Sequence, residues 1–383
     1  MIKRLFPITV ALLFFLFQAA FLAAEERDIV PGVRYFKFTR NWSGKKPIGV
    51  HVLKVSIKQG VQVKLALARG AVGRLQTTSV IARNNEAVAA VNGTFFDIFW
   101  PHLPIGLIVI DGKIIMKSLL NRTAVGIALR TGEIRFGIPK MSGNVINIST
   151  GEKIPVFGIN RPRKEGEVVI YTPEYGWKTK SNSSGVELIV EDNMVVGLSD
   201  GNSPIPRNGY VISFHGWTKN YANALPPGAI IHTDYKLTDG WDRFDQVITG
   251  GPRLLENGVN VAYESLDEEG FGSDVYGKNA RTAIGVDRNG DILLVVAEGR
   301  RKRYRRLGAK FAELADLMKE LGAVDAMCLD GGSSTTMYVN GRVVNRPTGG
   351  SQVGVSNAVI VKPYYREEQI APPQTSTQET PAR

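Results

Sequence analysis

Turn dipeptides built from Gly and from residues that tolerate positive φ recur along most of this chain, always between apolar or alternating runs. They constrain its fold more than any other feature. Gln59-Gly60, Asp111-Gly112, Thr131-Gly132, Asn257-Gly258, Asn289-Gly290 and Asn340-Gly341 are the clearest. Such pairs close tight hairpins because their backbones adopt the left-handed twist that joins two antiparallel strands. The flanks agree: residues 107–110 and 113–116 are apolar on either side of one turn, and residues 291–296 leave another. Repeated hairpins imply antiparallel or mixed sheets. Their spacing is uneven, which excludes a propeller or solenoid.

Two segments have helical spacing instead. From Leu307 onward, Phe311, Leu314, Leu317, Met318 and Leu321 fall on one helix face, with Gly322 placed as a C-terminal cap. A shorter helix is expected from Thr78 or Ser79 through Val80, Ile81 and Ala82 to Asn84 or Asn85. The residues themselves thus give hairpins of antiparallel or mixed sheet broken by two helices.

Lys3 and Arg4 precede an apolar stretch that ends in small residues before Glu25 and Glu26, the order of a secretory signal. Residues 1–24 are expected to be a signal peptide, or a membrane anchor if uncleaved, because residues 5–24 are also about long enough to span a bilayer. Both readings place the rest of the chain outside the cytoplasmic membrane: secreted, periplasmic or in the cell envelope. Residues 25–84 read as strands leading into a domain at 85–362, and residues 366–383, polar and rich in proline, as a disordered tail. Cys328 is the only cysteine, so the core is held by packing without an intrachain disulfide, and the thiol reads as buried and inert.

The chain's 383 residues carry 47 Lys and Arg against 36 Asp and Glu, a net charge of +11. Spread this thinly, the excess suits an anionic glycopolymer or a membrane surface and calls for no nucleic acid. One dense run, Arg300, Arg301, Lys302, Arg303, Arg305 and Arg306, reads as a solvated loop.

Four glycine- and polar-rich clusters stand where strands end, the positions at which sheet proteins carry working residues. The first holds Asn92, Gly93, Thr94 and Asp97: amide and hydroxyl suit a sugar or phosphate, and Gly93 admits close approach of the backbone. The second, residues 250–254, adds Arg253 after two glycines and a proline. The third opens on Arg281 and Thr282 and closes on Glu298: a guanidinium suited to bidentate phosphate binding, and a carboxylate able to act as acid or base. The fourth follows the buried strand expected at 323–329, where Asp330 precedes Gly331, Gly332, Ser333, Ser334 and Thr335. There Asp330 offers charge or proton transfer, the glycine N–H groups suit an anion, and the hydroxyls suit sugar oxygens. The run from Asp287 to Asp291 has calcium-loop spacing but lacks the terminal glutamate, and reads as a hairpin turn. His51, His102, His215 and His232 stand in no triad context, which weakens a serine nucleophile and a dinuclear metal site alike.

In this order, the clusters resemble the phosphodiester glycosidase family. The matching stretches are VNGTFFD at 91–97, GGPRLL at 250–255, RTAIGVDRNGDILLVVAEGR at 281–300, ELADLMKELGA at 313–323, LDGGSSTTMYVNG at 329–341 and VSNAVIV at 355–361. The sequence departs from the family pattern at Cys328, commonly asparagine, and at Ser333, commonly glycine. The resemblance implies an α+β fold, strand-rich mixed and antiparallel sheets with a few helices, and a hydrolase that cleaves a sugar-1-phosphodiester, such as an N-acetylglucosamine-1-phosphodiester; with the expected leader it would be exported and act on a cell-surface glycopolymer or exopolysaccharide. It implies that Arg281 holds the phosphodiester, that Asp330 and Glu298 divide the acid and base or nucleophile roles, and that Asn92, Thr94, Thr282, Ser333, Ser334 and Thr335 orient the substrate. A divalent cation on Asp330 or Asp97 stays open. The alternative is a non-catalytic wall- or exopolysaccharide-binding protein on the same fold.

Overall fold

The computed structural model describes residues 25–42, 46–99, 101–117, 120–299 and 307–364. The expected leader, the basic run at 300–306 and the expected tail lie outside the described residues. Strand is the commonest regular structure in the described chain, arranged in three substantial sheets of eight, ten and five strands and two small ones.

The eight-stranded sheet runs, edge to edge, through Glu25–Val30, Val33–Arg40, Ile48–Val55, Ile292–Ala297, Arg281–Asp287, Ala323–Cys328, Arg253–Glu256 and Val259–Asn260. Every neighbouring pair in it is antiparallel. Residues 25–55 are thus part of the sheet that carries Arg281 and Asp330, and they supply the partner strand of Ile292–Ala297. The alternation of side chains along each strand divides this sheet into two apolar faces. Val295, Ala297, Ala283 and Cys328 face one way, under the helices Ala262–Glu268 and Phe311–Glu320. Leu53, Leu294, Val296, Ile284 and Met327 face the other way, into a core shared with the remaining large sheets.

The five-stranded sheet, ordered Arg342–Val343, Met337–Val339, Ala89–Asn92, Asn357–Pro363 and Val61–Leu67, closes part of that core. Its outer face is covered by the helix Thr78–Asn84 through Ile81 and Ala82. The ten-stranded sheet runs from Met194–Ser199 to Ile134–Gly137, antiparallel except where Gly158–Ile159 lies parallel to Val168–Tyr171.

Five of the six turn dipeptides close hairpins as expected. Asp111 and Gly112, at φ 49° and 77°, join Leu107–Ile110 to Lys113–Lys117. Asn257 and Gly258 do the same at φ 50° and 79°. Asp287 closes the Asn289-Gly290 hairpin by accepting the N–H groups of Asn289 and Asp291 at 2.8 and 3.0 Å, so the residues with calcium-loop spacing form a turn. Gln59-Gly60 is the exception: the strands on either side of it, Ile48–Val55 and Val61–Leu67, belong to different sheets, so this turn passes the chain between layers. Nothing local separates the two outcomes, because the same left-handed glycine serves either path.

The long helix is Phe311–Glu320, starting four residues after Leu307, and Gly322 follows it at φ 95°. Leu53 is fully buried at the centre of the eight-stranded sheet. Leu53→Ala is expected to lower unfolding free energy by about 2–5 kcal/mol, read as a shifted denaturant midpoint with an unchanged slope.

Candidate active site

Antiparallel register determines what shares one end of the eight-stranded sheet. Arg281 lies opposite Ala297, and Ala283 opposite Cys328. The residues just past those strand ends, Glu298 and Asp330, therefore flank Arg281 on its two neighbouring strands. Strand spacing of about 4.8 Å puts the two outer strands roughly 10 Å apart.

Asp330 is held by backbone and side chain. Its N–H donates to the carbonyl of Gly93 at 3.0 Å, and its carbonyl accepts Asn92 Nδ2 at 2.7 Å. Asn92 is fully buried, and its Oδ1 also accepts the Thr282 hydroxyl at 2.8 Å and the Thr336 N–H at 3.1 Å. One amide thus ties the end of Ala89–Asn92 to both strands of the neighbouring sheet. The Asp330 carboxyl accepts the Gly331 N–H at 2.8 Å and a bond from Ser334. Loss of hydration outweighs those two donors and pushes its pKa up to about 6.

Glu298 sits on the face turned to the shared core, packed so closely over Gly49 that a Cβ there would lie 2.9 Å from its carboxyl carbon. Its Oε1 lies 3.2 Å from His51 Nε2 and accepts the Arg346 N–H at 2.8 Å. His51 Nδ1 is 2.9 Å from the Tyr35 hydroxyl, and both residues are buried. Burial raises the Tyr35 phenol to about 12, so its hydroxyl stays protonated beside Nδ1. This Tyr35, His51, Glu298 chain was not read from the sequence. Its members are 16 and 247 residues apart, and the alternating polar position of His51 within an apolar strand was the one available hint.

A single short segment links the two carboxylates. Asn345 bonds the Thr335 carbonyl and the Met337 N–H, Arg346 bonds Glu298, and Thr348 Oγ1 donates to the Gly332 carbonyl at 3.0 Å. Glu298 and the loop after Asp330 therefore border the same stretch of chain.

Several expected substrate contacts prove to be internal struts. Arg281 turns to the helix face, 3.7 Å above the Phe311 ring. Its Nε donates to Ala309 and its Nη2 to Val275 and Gly277, all backbone carbonyls. Both forked edges of the guanidinium include an engaged nitrogen, so the bidentate grip on phosphate expected of Arg281 does not form; Nη1 is the nitrogen not used in these bonds. Arg253 reaches across to Asp325 on the neighbouring strand at 2.8 Å and along its own strand to Glu256, away from Asp330. Asn92 and Thr282 satisfy each other. Thr94 donates its N–H to Asn357 Oδ1, and Gly93 makes room for that same side chain, since a Cβ would lie 1.8 Å from its oxygen. The N–H groups of Gly331 and Gly332, expected to receive an anion, are bonded to Asp330 Oδ1 and the Ala280 carbonyl.

The hydroxyls divide. Ser334 serves Asp330, Ser333 is exposed, and Thr335 Oγ1 is buried with no hydrogen-bond partner among the described residues. Asp97 stands on an exposed loop with its carboxylate capping the Phe99 N–H at 2.9 Å. Among the described residues no three His, Cys, Asp or Glu side chains gather as a metal site would need. Cys328 is fully buried, and its thiol is pushed up to about 12.

A further cation stands near this end of the sheet. Arg122, half-buried, lies 3.8 Å over the Phe271 ring and 5.9 Å from that of Phe95, the residue after Thr94. Glu269 beside it is buried and accepts Thr123 Oγ1, Thr123 N–H and the Arg253 N–H, fixing the segment that carries Arg122.

Residues 184–362 match the family model described as phosphodiester glycosidase; that span holds Arg281, Glu298 and Asp330, while Asn92 and His51 come from outside it. An N-acetylglucosamine-1-phosphodiester alpha-N-acetylglucosaminidase of Mus musculus is 28% identical over 167 residues, 40% of this chain and 31% of that protein. The chain thus spans under a third of that relative's length. Among solved structures, a hypothetical protein from Synechocystis superposes with TM-score 0.77 at 26% identity, over 88% of this chain and 63% of that one. A protein from Burkholderia pseudomallei, described as a candidate exported protein, gives 0.70 at 26% over 83% and 74%. The catalytic domain of the zebrafish N-acetylglucosamine-1-phosphodiester alpha-N-acetylglucosaminidase gives 0.50 at 17% over 90% and 87%, a likeness of fold alone.

Replacing Asn92 by Ala orphans the Thr282 hydroxyl, the Thr336 N–H and the Asp330 carbonyl together. The expected loss is about 2–4 kcal/mol, measured by chemical denaturation.

Proposed function

We propose, starting from the phosphodiester glycosidase domain carried by residues 184–362, that this protein hydrolyses a sugar-1-phosphodiester of the N-acetylglucosamine-1-phosphodiester kind. The proposed setting is an anionic cell-surface glycopolymer or exopolysaccharide outside the cytoplasmic membrane. The observation that carries the reading is Asp330, a carboxyl whose pKa burial raises to about 6 and whose backbone is tied to two sheets. Such a group can hold a proton near neutral pH and release it in the transition state.

In the proposed reaction water attacks the anomeric carbon as the bond from that carbon to the phosphate oxygen breaks. Asp330 gives its proton to the departing phosphate oxygen, and Glu298 takes one from the attacking water. His51 and the Arg346 N–H, both on Oε1, aim the Glu298 carboxylate. Phosphate leaves more readily than an alkoxide, so positive charge around it matters as much as the acid. Arg122 and the remaining nitrogen of Arg281 supply that charge, while Ser333 and the buried Thr335 hydroxyl contact the substrate.

The test is release of N-acetylglucosamine from a panel of its 1-phosphodiesters by the purified protein. The acid must be protonated, so kcat/KM is expected to fall about tenfold per pH unit above about 6. Asp330→Asn is expected to remove that limb and lower turnover about 10²- to 10⁴-fold. Because the folded pKa lies above the unfolded value of 3.8, the wild-type group's stabilising contribution is full below pH 3.8 and is lost as pH rises through about 6. Above that pH the variant is therefore expected to be at least as stable as the wild type. Binding of every diester without release would overturn the hydrolase reading, and a rate unchanged in a folded Asp330→Asn protein would overturn the role given to Asp330.

A further inference from the structure

The hairpin that carries Arg281 has a second copy in the chain. Residues 122–127 read RTAVGI and residues 281–286 read RTAIGV, and each run leads to a turn glycine, Gly132 in one and Gly290 in the other. The copies fold alike. Ala124–Ile127 pairs antiparallel with Ile134–Gly137 on one side and with Gln246–Thr249 on the other. Arg281–Asp287 pairs in the same way with Ile292–Ala297 and Ala323–Cys328. Ala124 lies opposite Thr249 as Ala283 lies opposite Cys328. One residue further, the Gly250 N–H donates to the Thr123 carbonyl at 2.8 Å, and the Leu329 N–H to the Thr282 carbonyl at 2.9 Å. Register therefore puts Arg122 where Arg281 stands in the other copy, and Gly251 where Asp330 stands.

The two arginines begin alike and end differently. Each lies over a phenylalanine ring, Arg122 3.8 Å from Phe271 and Arg281 3.7 Å from Phe311, and each gives its Nε to a backbone carbonyl. Arg281 is buried and spends Nη2 on two further carbonyls. Arg122 is half-buried, and neither of its Nη nitrogens has a hydrogen-bond partner among the described residues. Glu269 turns its carboxylate to Thr123 and to the Arg253 N–H. Burial lowers the Arg122 pKa, while the more distant Glu269 charge acts against that shift. At Gly251 no side chain fits, since a Cβ would meet the Glu269 carboxylate and the Phe271 ring. One copy thus holds an acid and an arginine used as a strut; the other holds an arginine with an unspent fork and no carboxylate at the matching place.

The copies abut at these strand ends. The Gly251 N–H donates to the Cys328 carbonyl at 2.9 Å and the Cys328 N–H to the Pro252 carbonyl at 3.1 Å, two residues before Asp330. A second link runs through the segment after Asn92: its Gly93 carbonyl accepts the Asp330 N–H, and its Phe95 ring stands 5.9 Å from the Arg122 guanidinium. Arg122 and Asp330 therefore border one another by two routes, one along each side of the Gly93–Phe95 turn.

We propose that Arg122 is the specificity-determining residue of the site, its two Nη groups gripping the non-bridging oxygens of a sugar 1-phosphate unit and so selecting phosphate-linked sugars over neutral ones. A planar fork with both ends unspent suits two phosphate oxygens at once, and the missing carboxylate at Gly251 spares that anion a repulsion. The first hairpin supplies recognition and the second supplies the acid. This assignment rests on the hydrolase reading and deepens it, dividing phosphate binding from proton transfer between two copies of one hairpin.

Isothermal titration calorimetry of the full protein with N-acetylglucosamine 1-phosphate and with N-acetylglucosamine tests the assignment apart from turnover. The phosphate is expected to bind at least about tenfold tighter than the neutral sugar. Arg122→Gln is expected to weaken the phosphate about 10- to 100-fold while leaving the neutral sugar unchanged. Arg122→Lys keeps the charge and loses the fork, so its affinity for the phosphate is expected to fall between the two. Asp330→Asn is expected to keep the wild-type preference, because the acid takes no part in gripping phosphate. Equal binding of the two sugars by the wild type, an unchanged preference in Arg122→Gln, or an equal loss for both sugars overturns the proposal; should that variant not fold, an unchanged preference in Arg122→Lys does so. A wild type that prefers the phosphate through Arg122 yet releases sugar from no diester sinks the hydrolase reading and leaves the grip standing.

Discussion

The buried amide of Asn92 is the interaction on which the candidate active site depends. It stands at the end of a strand in the five-stranded sheet; two of its three bonds, to Thr282 and the Asp330 carbonyl, reach the eight-stranded sheet's side, and the third holds Thr336 beside its own sheet. Two sheets packed face to face can slide, since apolar contact has no direction. Hydrogen bonds to one buried amide do have direction, and leaving them unmade is costly. Asn92 therefore sets where Asp330 stands relative to the layer beneath it, and Gly93 repeats the connection through its carbonyl.

From that anchorage the electrostatics follow. Among the described residues no cation is bonded to Asp330, so burial dominates and its proton is held to about pH 6. Glu298 lies in different surroundings, with a histidine and a backbone N–H both on one oxygen. Two carboxylates in unlike environments, bordering one short chain segment, are what the proposed division of acid and base roles rests on. Arg281 serves the same end indirectly: by gathering the carbonyls of Val275, Gly277 and Ala309 it shapes the loop before its own strand.

Local features were legible in the sequence. Five of the six turn dipeptides close hairpins, and the helix Phe311–Glu320 lies where its apolar stripe put it, because both depend on backbone preferences and periodicity within about a dozen residues. Ligand contact was less legible than location. Asn92, Thr282, Arg253 and Arg281 have the side chains that phosphate and sugar sites use, yet each is engaged by protein groups. A polar residue at a strand end serves equally as strut or as ligand contact, and only the position of its partners decides which. The link from Tyr35 through His51 to Glu298 was not legible because its members are distant in sequence.

The sequence by itself therefore determined hairpins of antiparallel or mixed sheet, the place of its long helix, and four strand-end clusters, three of which supply Asp330, Glu298, Arg281 and Asn92. Those properties follow from interactions among neighbours along the chain. Tertiary structure alone decided that Gln59-Gly60 passes between sheets, that residues 25–55 complete the sheet bearing Asp330, and that Tyr35 and His51 stand behind Glu298. Strand order and register join segments more than two hundred residues apart. They are selected by the packing of whole faces against one another, which no local stretch of sequence encodes.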